Sequence, residues 1–266
     1  MTSRNQKVFL LFVFGCLAWF AWVWHEVSST TISHFRIDSE GQRIVRIPDS
    51  GEIPLVPEFL RLKPILLTID DGPANTNVDL KMLAILNKHH AHAIWFITCK
   101  TLDAKIDPAA AEHREVLKKI RADGNVLGNH GYHHFNLKDM DDQGSALLEP
   151  EIFGCSRLIE SVAGVRPKYF RPPFGQSTQR VDALIKSDGM QAVLWSINTQ
   201  DSLLAKFKDH PDVYLDYVHN NPAFDVPGHA ERGDILLMHD YPNTLQELDE
   251  LLTKLEHAGF VFVLPQ

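Results

Sequence analysis

Seven side chains stand where chemistry could be done. Asp70 and Asp71 close the run Ile65-Leu66-Leu67-Thr68-Ile69, a short apolar stretch that reads as a buried strand. Two neighbouring carboxylates at such a place repel each other and resist desolvation unless each meets a positive partner. A metal ion at one and an arginine at the other would meet that need. His130 and His134 are four apart, within one tight loop or on one helical face. With a carboxylate they make a three-ligand set that leaves positions open for water, as catalytic zinc sites do. His133 is the alternative second histidine, at a spacing of three. Arg171, Asp201 and His239 each follow another apolar run, in Lys168–Phe170, Ala192–Ile197 and Ile235–Met238. The chemistry such a set can do is metal-assisted hydrolysis. His89, His90 and His92 form a different cluster, read as a solvated helix end whose dipole favours cations.

These residues need a frame that brings several strand ends to one rim. From residue 64 onward, short apolar runs also occur at Ile94–Thr98, Val126–Gly128 and Phe260–Leu264. Helical-period segments separate most of the runs, at Val78–His89, Ala109–Ala122, Glu149–Ala163, Ser177–Ser187 and Thr244–Ala258. Strands alternating with helices predict a parallel sheet covered by helices. About seven repeats suit a closed or nearly closed (β/α) barrel, whose chemistry sits at the carboxyl ends of the strands. No Gly-x-Gly-x-x-Gly follows a strand, which argues against dinucleotide binding. The proline-rich stretch Asp201–Gly233 is long enough to read as a substrate-facing loop or lid.

Three segments are expected along the 266 residues: 1–29, 30–63 and 64–266. Arg4 and Lys7 precede an uninterrupted apolar run from Val8 to Trp24, with Trp19, Trp22 and Trp24 toward its far end. That pattern predicts a membrane anchor or a signal peptide, with everything after it outside the cytoplasm. Residues 30–63 read as a stem with a hairpin around Asp38-Ser39-Glu40-Gly41 and several prolines. A net charge of −8 without basic clusters argues against nucleic acid as a partner. Cys99 and Cys155 could pair in an oxidising compartment or remain as buried thiols; both readings stay open.

Five motifs hold these residues in chain order: T-I-D-D-G-P, H-G-Y-H-H, R-P-P-F-G, W-S-I-N-T-Q-D-S and L-M-H-D. On these motifs, which stand in the family's order, the chain resembles the polysaccharide deacetylases with a NodB-homology domain, carbohydrate esterase family 4, from about Pro64 to the C-terminus. The resemblance implies an α/β fold of the distorted (β/α) barrel type. It implies a divalent metal, usually zinc with cobalt or another ion as substitutes, on Asp71, His130 and His134. Asp70 is then the general base and Arg171 its partner. His239 is the general acid, oriented by Asp201, and a backbone N–H near Phe174 faces the oxyanion. The implied reaction is removal of N-acetyl groups from amino sugars of an envelope polymer such as peptidoglycan or a chitin-like glycan. Alternative functions are a deacylase or deformylase of a lipid-linked sugar at the membrane, a non-catalytic glycan-binding module, and an O-acetyl esterase. Two positions depart from the pattern. Gly131 replaces the Ser or Thr inside the histidine motif, which weakens the expected support for the ligands. Ser202 stands where tryptophan often walls the acetyl pocket.

Overall fold

The computed structural model describes residues 63–144, 146–203 and 226–265. The N-terminal apolar run, the stem and residues 204–225 of the long loop lie outside that set. Among the described residues no helix is long and apolar enough to cross a membrane.

Strand β1, Lys63–Asp70, is the centre of the sheet and is buried from Pro64 onward. It pairs in parallel with β2, Ala93–Ile97, and with β7, Ile235–His239. The other strands are β3 Val126–Asn129, β4 Tyr169–Phe170, β5 Gln191–Ala192 and β6 Ile197–Asn198. Their order is β5-β4-β3-β2-β1-β7-β6, and a short β8, Phe260–Phe262, runs parallel to the first residues of β1. Every pairing is parallel, as strand–helix alternation predicts.

The helices are α1 Thr76–Lys88, α2 Ala110–Ala122, α3 Leu137–Asp142, α4 Cys155–Ala163, α5 Gln179–Ser187, α6 Val226–His229 and α7 Pro242–His257. Side chains on a strand alternate between faces, and β1 shows both. Ile65, Leu67 and Ile69 pack with Met82, Leu86, Leu117, Leu248 and Leu252 of the helices. Leu66 packs on the opposite, inner face with Ile94, Phe96, Val193 and Ile235. In α7 the apolar period Leu248, Leu252 and Leu255 is fully buried, and Pro242 opens the helix at a position where its missing N–H costs nothing. Truncating Leu252 to alanine would cost roughly 2–5 kcal/mol.

The barrel does not close. The expected strand Ala192–Ile197 is broken into β5 and β6, which stand at opposite ends of the sheet order. At the break, Arg171 Nε and Nη2 donate to the carbonyls of Val193 and Leu194, each at 3.0 Å. Those carbonyls face a side chain where a strand partner would otherwise stand. The result is a half-barrel of seven parallel strands, with β8 added beside β1, covered by helices.

The expected helix Glu149–Ala163 also divides, into a wide π-type turn at Pro150–Gly154 followed by α4. The short α3 was not legible in the sequence, because Leu137 is its only buried residue. Cys99, just past β2, and Cys155, at the start of α4, form a disulfide with a Cα–Cα distance of 5.3 Å. Of the two open readings of these cysteines, the structure has the paired one.

Candidate active site

The inner face of β1 presents Thr68 and Asp70, and Arg171 fills the space opposite them. Arg171 is fully buried, with its guanidinium 4.3 Å above the Phe96 ring. Its Nη1 donates to Asp70 Oδ1 and to Thr68 Oγ1, both at 2.7 Å. With the two carbonyl contacts, its donors are committed in a geometry that lysine could not reproduce. Burial pulls its pKa below the ordinary guanidinium value, opposed by the Asp70 charge.

Asp71 leaves the strand with φ of 75°, in the left-handed region that ordinary residues avoid. The turn gives the two adjacent carboxylates different partners. Asp71 Oδ1 lies 3.8 Å from His130 Nε2 and 3.4 Å from His134 Nε2, and Asp70 Oδ2 lies 3.5 Å from His130 Nε2. Ligand atoms of Asp71, His130 and His134 all lie within 4.8 Å of one another. The tautomer of His130 follows from its neighbour: Nδ1 donates to the Arg171 carbonyl at 2.7 Å, so Nε2 offers a lone pair to the cluster. One carboxylate oxygen and imidazole nitrogens are a donor set that suits zinc and similar divalent ions. His133 is not in this group; its Nδ1 bonds Glu151.

Electrostatics prepare this cluster. Burial pushes the Asp71 carboxyl up, but His130, His134, His239 and a hydrogen bond from Tyr241 outweigh it and hold it below the usual range. His134 is held below the ordinary imidazole value by burial and by His130 beside it, which keeps it neutral as a ligand must be.

The histidine loop is held from beneath by residues the sequence reading passed over. Asn129 Oδ1 accepts the Gly131 N–H at 2.8 Å, and its Nδ2 donates to Ile152 and Ser156. Glu151, buried in the π-type turn, accepts the backbone N–H groups of Tyr132 and His133 at 3.1 and 2.9 Å. Gly131 itself adopts φ of 82°, and a β-carbon there would stand 3.8 Å from Glu151 Oε2. The carboxylate thus holds the loop backbone directly after Gly131. One signal was available: Glu151 is a charge on the apolar face shared by Ile152, Cys155 and Ile159.

Opposite the Asp71, His130 and His134 cluster, His239 pairs in register with Asp70 across β7 and β1. Asp201 Oδ1 bonds His239 Nδ1 and its Oδ2 accepts the His239 N–H, both at 2.7 Å. Thr244 Oγ1 donates to the same Oδ2 at 2.7 Å. Burial alone would lower the His239 pKa, but the Asp201 bond and charge, with Asp70 and Asp71, push it up to about 9. Tyr241 stacks on the His239 ring at 5.0 Å and 9°. Near it, burial raises both Asp79, to about 7, and Asp240.

Phe174 stands at the rim in the left-handed region, φ 61°, with its ring edge-on to His134 at 4.8 Å and 60% exposed. Strained backbone at Asp71, His134 and Phe174, all in one site, is where function tends to store it. Ser202 sits half-buried in the turn Asp201–Leu203, and Trp195 packs against Gly175 of R-P-P-F-G. A groove of about 490 Å³ opens beside the cluster, lined among others by Asp71, Asn75, Lys100, His134 and Tyr241.

The family model for polysaccharide deacetylases matches residues 60–193. The peptidoglycan-N-acetylglucosamine deacetylase of Bacillus cereus is 26% identical over 75% of this chain and 66% of its own length. That of Listeria monocytogenes is 28% identical over 82% of this chain. The chain spans 41% of the Listeria protein, so parts of these relatives have no counterpart here. Among solved structures, the T48 deacetylase with substrate superposes with a TM-score of 0.60 at 28% identity, over 76% of this chain and 88% of that one. Motifs, half-barrel and matched model agree, and the chain belongs to the polysaccharide deacetylase family.

Proposed function

We propose that the chain is a metal-dependent deacetylase that removes N-acetyl groups from amino sugars of an extracytoplasmic glycan, with peptidoglycan the first candidate. The observation that carries this reading is the placement of Asp71, His130 and His134 between two acid–base pairs, Asp70–Arg171 and Asp201–His239. The relatives' names supply the substrate class. The apolar run Val8–Trp24 and the Cys99–Cys155 disulfide support a site outside the cytoplasm, where such bonds persist.

A divalent ion, zinc by the donor set, would be held by Asp71, His130 and His134 and would supply Lewis acidity to water and to the amide carbonyl. Asp70 takes the proton of the attacking water. Arg171 holds Asp70 in place through its Oδ1. As the carbonyl carbon becomes tetrahedral, the Phe174 N–H donates to the developing oxyanion. The C–N bond then breaks, acetate leaves, and His239 delivers its proton to the departing amine. Asp201 keeps His239 protonated for that step.

The test is acetate release from an N-acetylated glucosamine oligomer by the purified chain, as wild type and as Asp70→Asn. Release that depends on Asp70 supports the reading. Undiminished release in Asp70→Asn contradicts the mechanism, and formate released from a lipid-linked sugar would move the substrate assignment there.

A further inference from the structure

The two oxygens of Asp71 have different surroundings. Oδ1 is the one nearest both histidine Nε2 atoms, at 3.8 and 3.4 Å. Oδ2 accepts a hydrogen bond from Tyr241 Oη at 2.8 Å. A carboxylate with one oxygen engaged in this way cannot turn freely to offer the other, or both, to a cation.

The same side chain reaches the proton donor. Its ring lies parallel to His239 at 5.0 Å, and Asp201 holds the far side of that imidazole through Nδ1. Tyr241 is itself anchored: it is extended, with φ −98° and ψ 152°, directly before Pro242 opens α7, and its carbonyl accepts Leu245 N–H at 3.0 Å.

From these contacts we infer that Tyr241 is a positioning residue, which presents Asp71 to the metal through a single oxygen and sets the His239 ring across the site. The inference rests on the metal-dependent reading above. Partners that orient a ligand in this way typically change metal affinity by about 10–100-fold when removed. An aromatic face against an imidazolium adds a cation–π contact.

Two variants separate the hydroxyl from the ring. Tyr241→Phe keeps the stack and loses the donor; Tyr241→Leu loses both. Zinc affinity of the full chain is measured by competition with a chromophoric chelator, and turnover is followed as zinc is raised. Tyr241→Phe is expected to bind zinc about 10–100-fold more weakly and to regain turnover at high zinc. Tyr241→Leu is expected to bind as weakly and not to regain full turnover. Unchanged zinc affinity in Tyr241→Phe would overturn the inference. A wild-type chain that takes up no stoichiometric zinc would overturn the metal reading and this inference with it, so the two failures are distinguishable.

Discussion

Two histidines of one pocket are prepared in opposite ways. His134, on the β3 side, is crowded by His130 and by burial, which favour its neutral form. His239, on the β7 side, is bonded by Asp201 and faces two more carboxylates, which favour its protonated form up to about pH 9. The supports differ as well. The β3 loop is shaped by left-handed backbone at Gly131 and His134 and by neutral N–H groups pointed at Asn129 and Glu151. The β7 side has a regular strand and fixes its histidine by charge, through an aspartate whose second oxygen is itself held by Thr244. Environment, not residue type, favours the neutral form of one imidazole and the protonated form of the other.

The largest effect should come from Asp70, the proposed base between the two sides. Asp70→Asn is expected to lower kcat by about 10²–10⁴-fold while zinc affinity falls far less, since Asp70 is the neighbour of the ligand set and not a member of it. Parallel kinetics and chelator competition check this; equal losses in both would erase the distinction between ligand and base.

Next comes the β3 support. Glu151→Gln keeps the shape but leaves the amide to meet two N–H groups with a weaker acceptor, so zinc affinity should fall about 10–100-fold. Apo-protein stability should drop by about 1–3 kcal/mol, read by denaturant melts. Full zinc affinity in this variant would show that left-handed backbone alone holds the loop.

The charge-based side predicts a pH effect. His239 works as an acid only when protonated, so kcat should fall as pH rises through about 9, or somewhat lower once a cation's charge is nearby. Asp201→Asn removes the main cause of the raised pKa and should move that alkaline limb to lower pH. For stability the sign is the same. The folded pKa lies above the ordinary imidazole value of about 6.5, so the contribution is complete below about 6.5 and is lost as pH rises through about 9. A pH–rate profile of both proteins checks it; an unmoved limb would assign that titration to another group.

Much of this site could be read from the chain because the strand-end rule is local. Asp70, Asp71, His130, Arg171, Asp201 and His239 each follow an apolar run, and parallel topology carries such ends to one rim. What was not legible depended on distant partners. Nothing local marks the break of the strand Ala192–Ile197, since its cause is Arg171, more than twenty residues upstream. Glu151 and Tyr241 act on residues 18 and 170 positions away, and neither belongs to a motif. The anchor and stem remain expectations of the sequence, as they lie outside the described residues.

The central claim is that Asp71, His130 and His134 hold a divalent ion on which amide hydrolysis depends. The most direct test is acetate release from an N-acetylated glucosamine oligomer by the wild-type chain before chelation, after it, and after return of one equivalent of zinc. Loss of release on chelation and its recovery with zinc, with no recovery in His130→Ala, is the predicted result. Release that persists after complete removal of metal would contradict the claim.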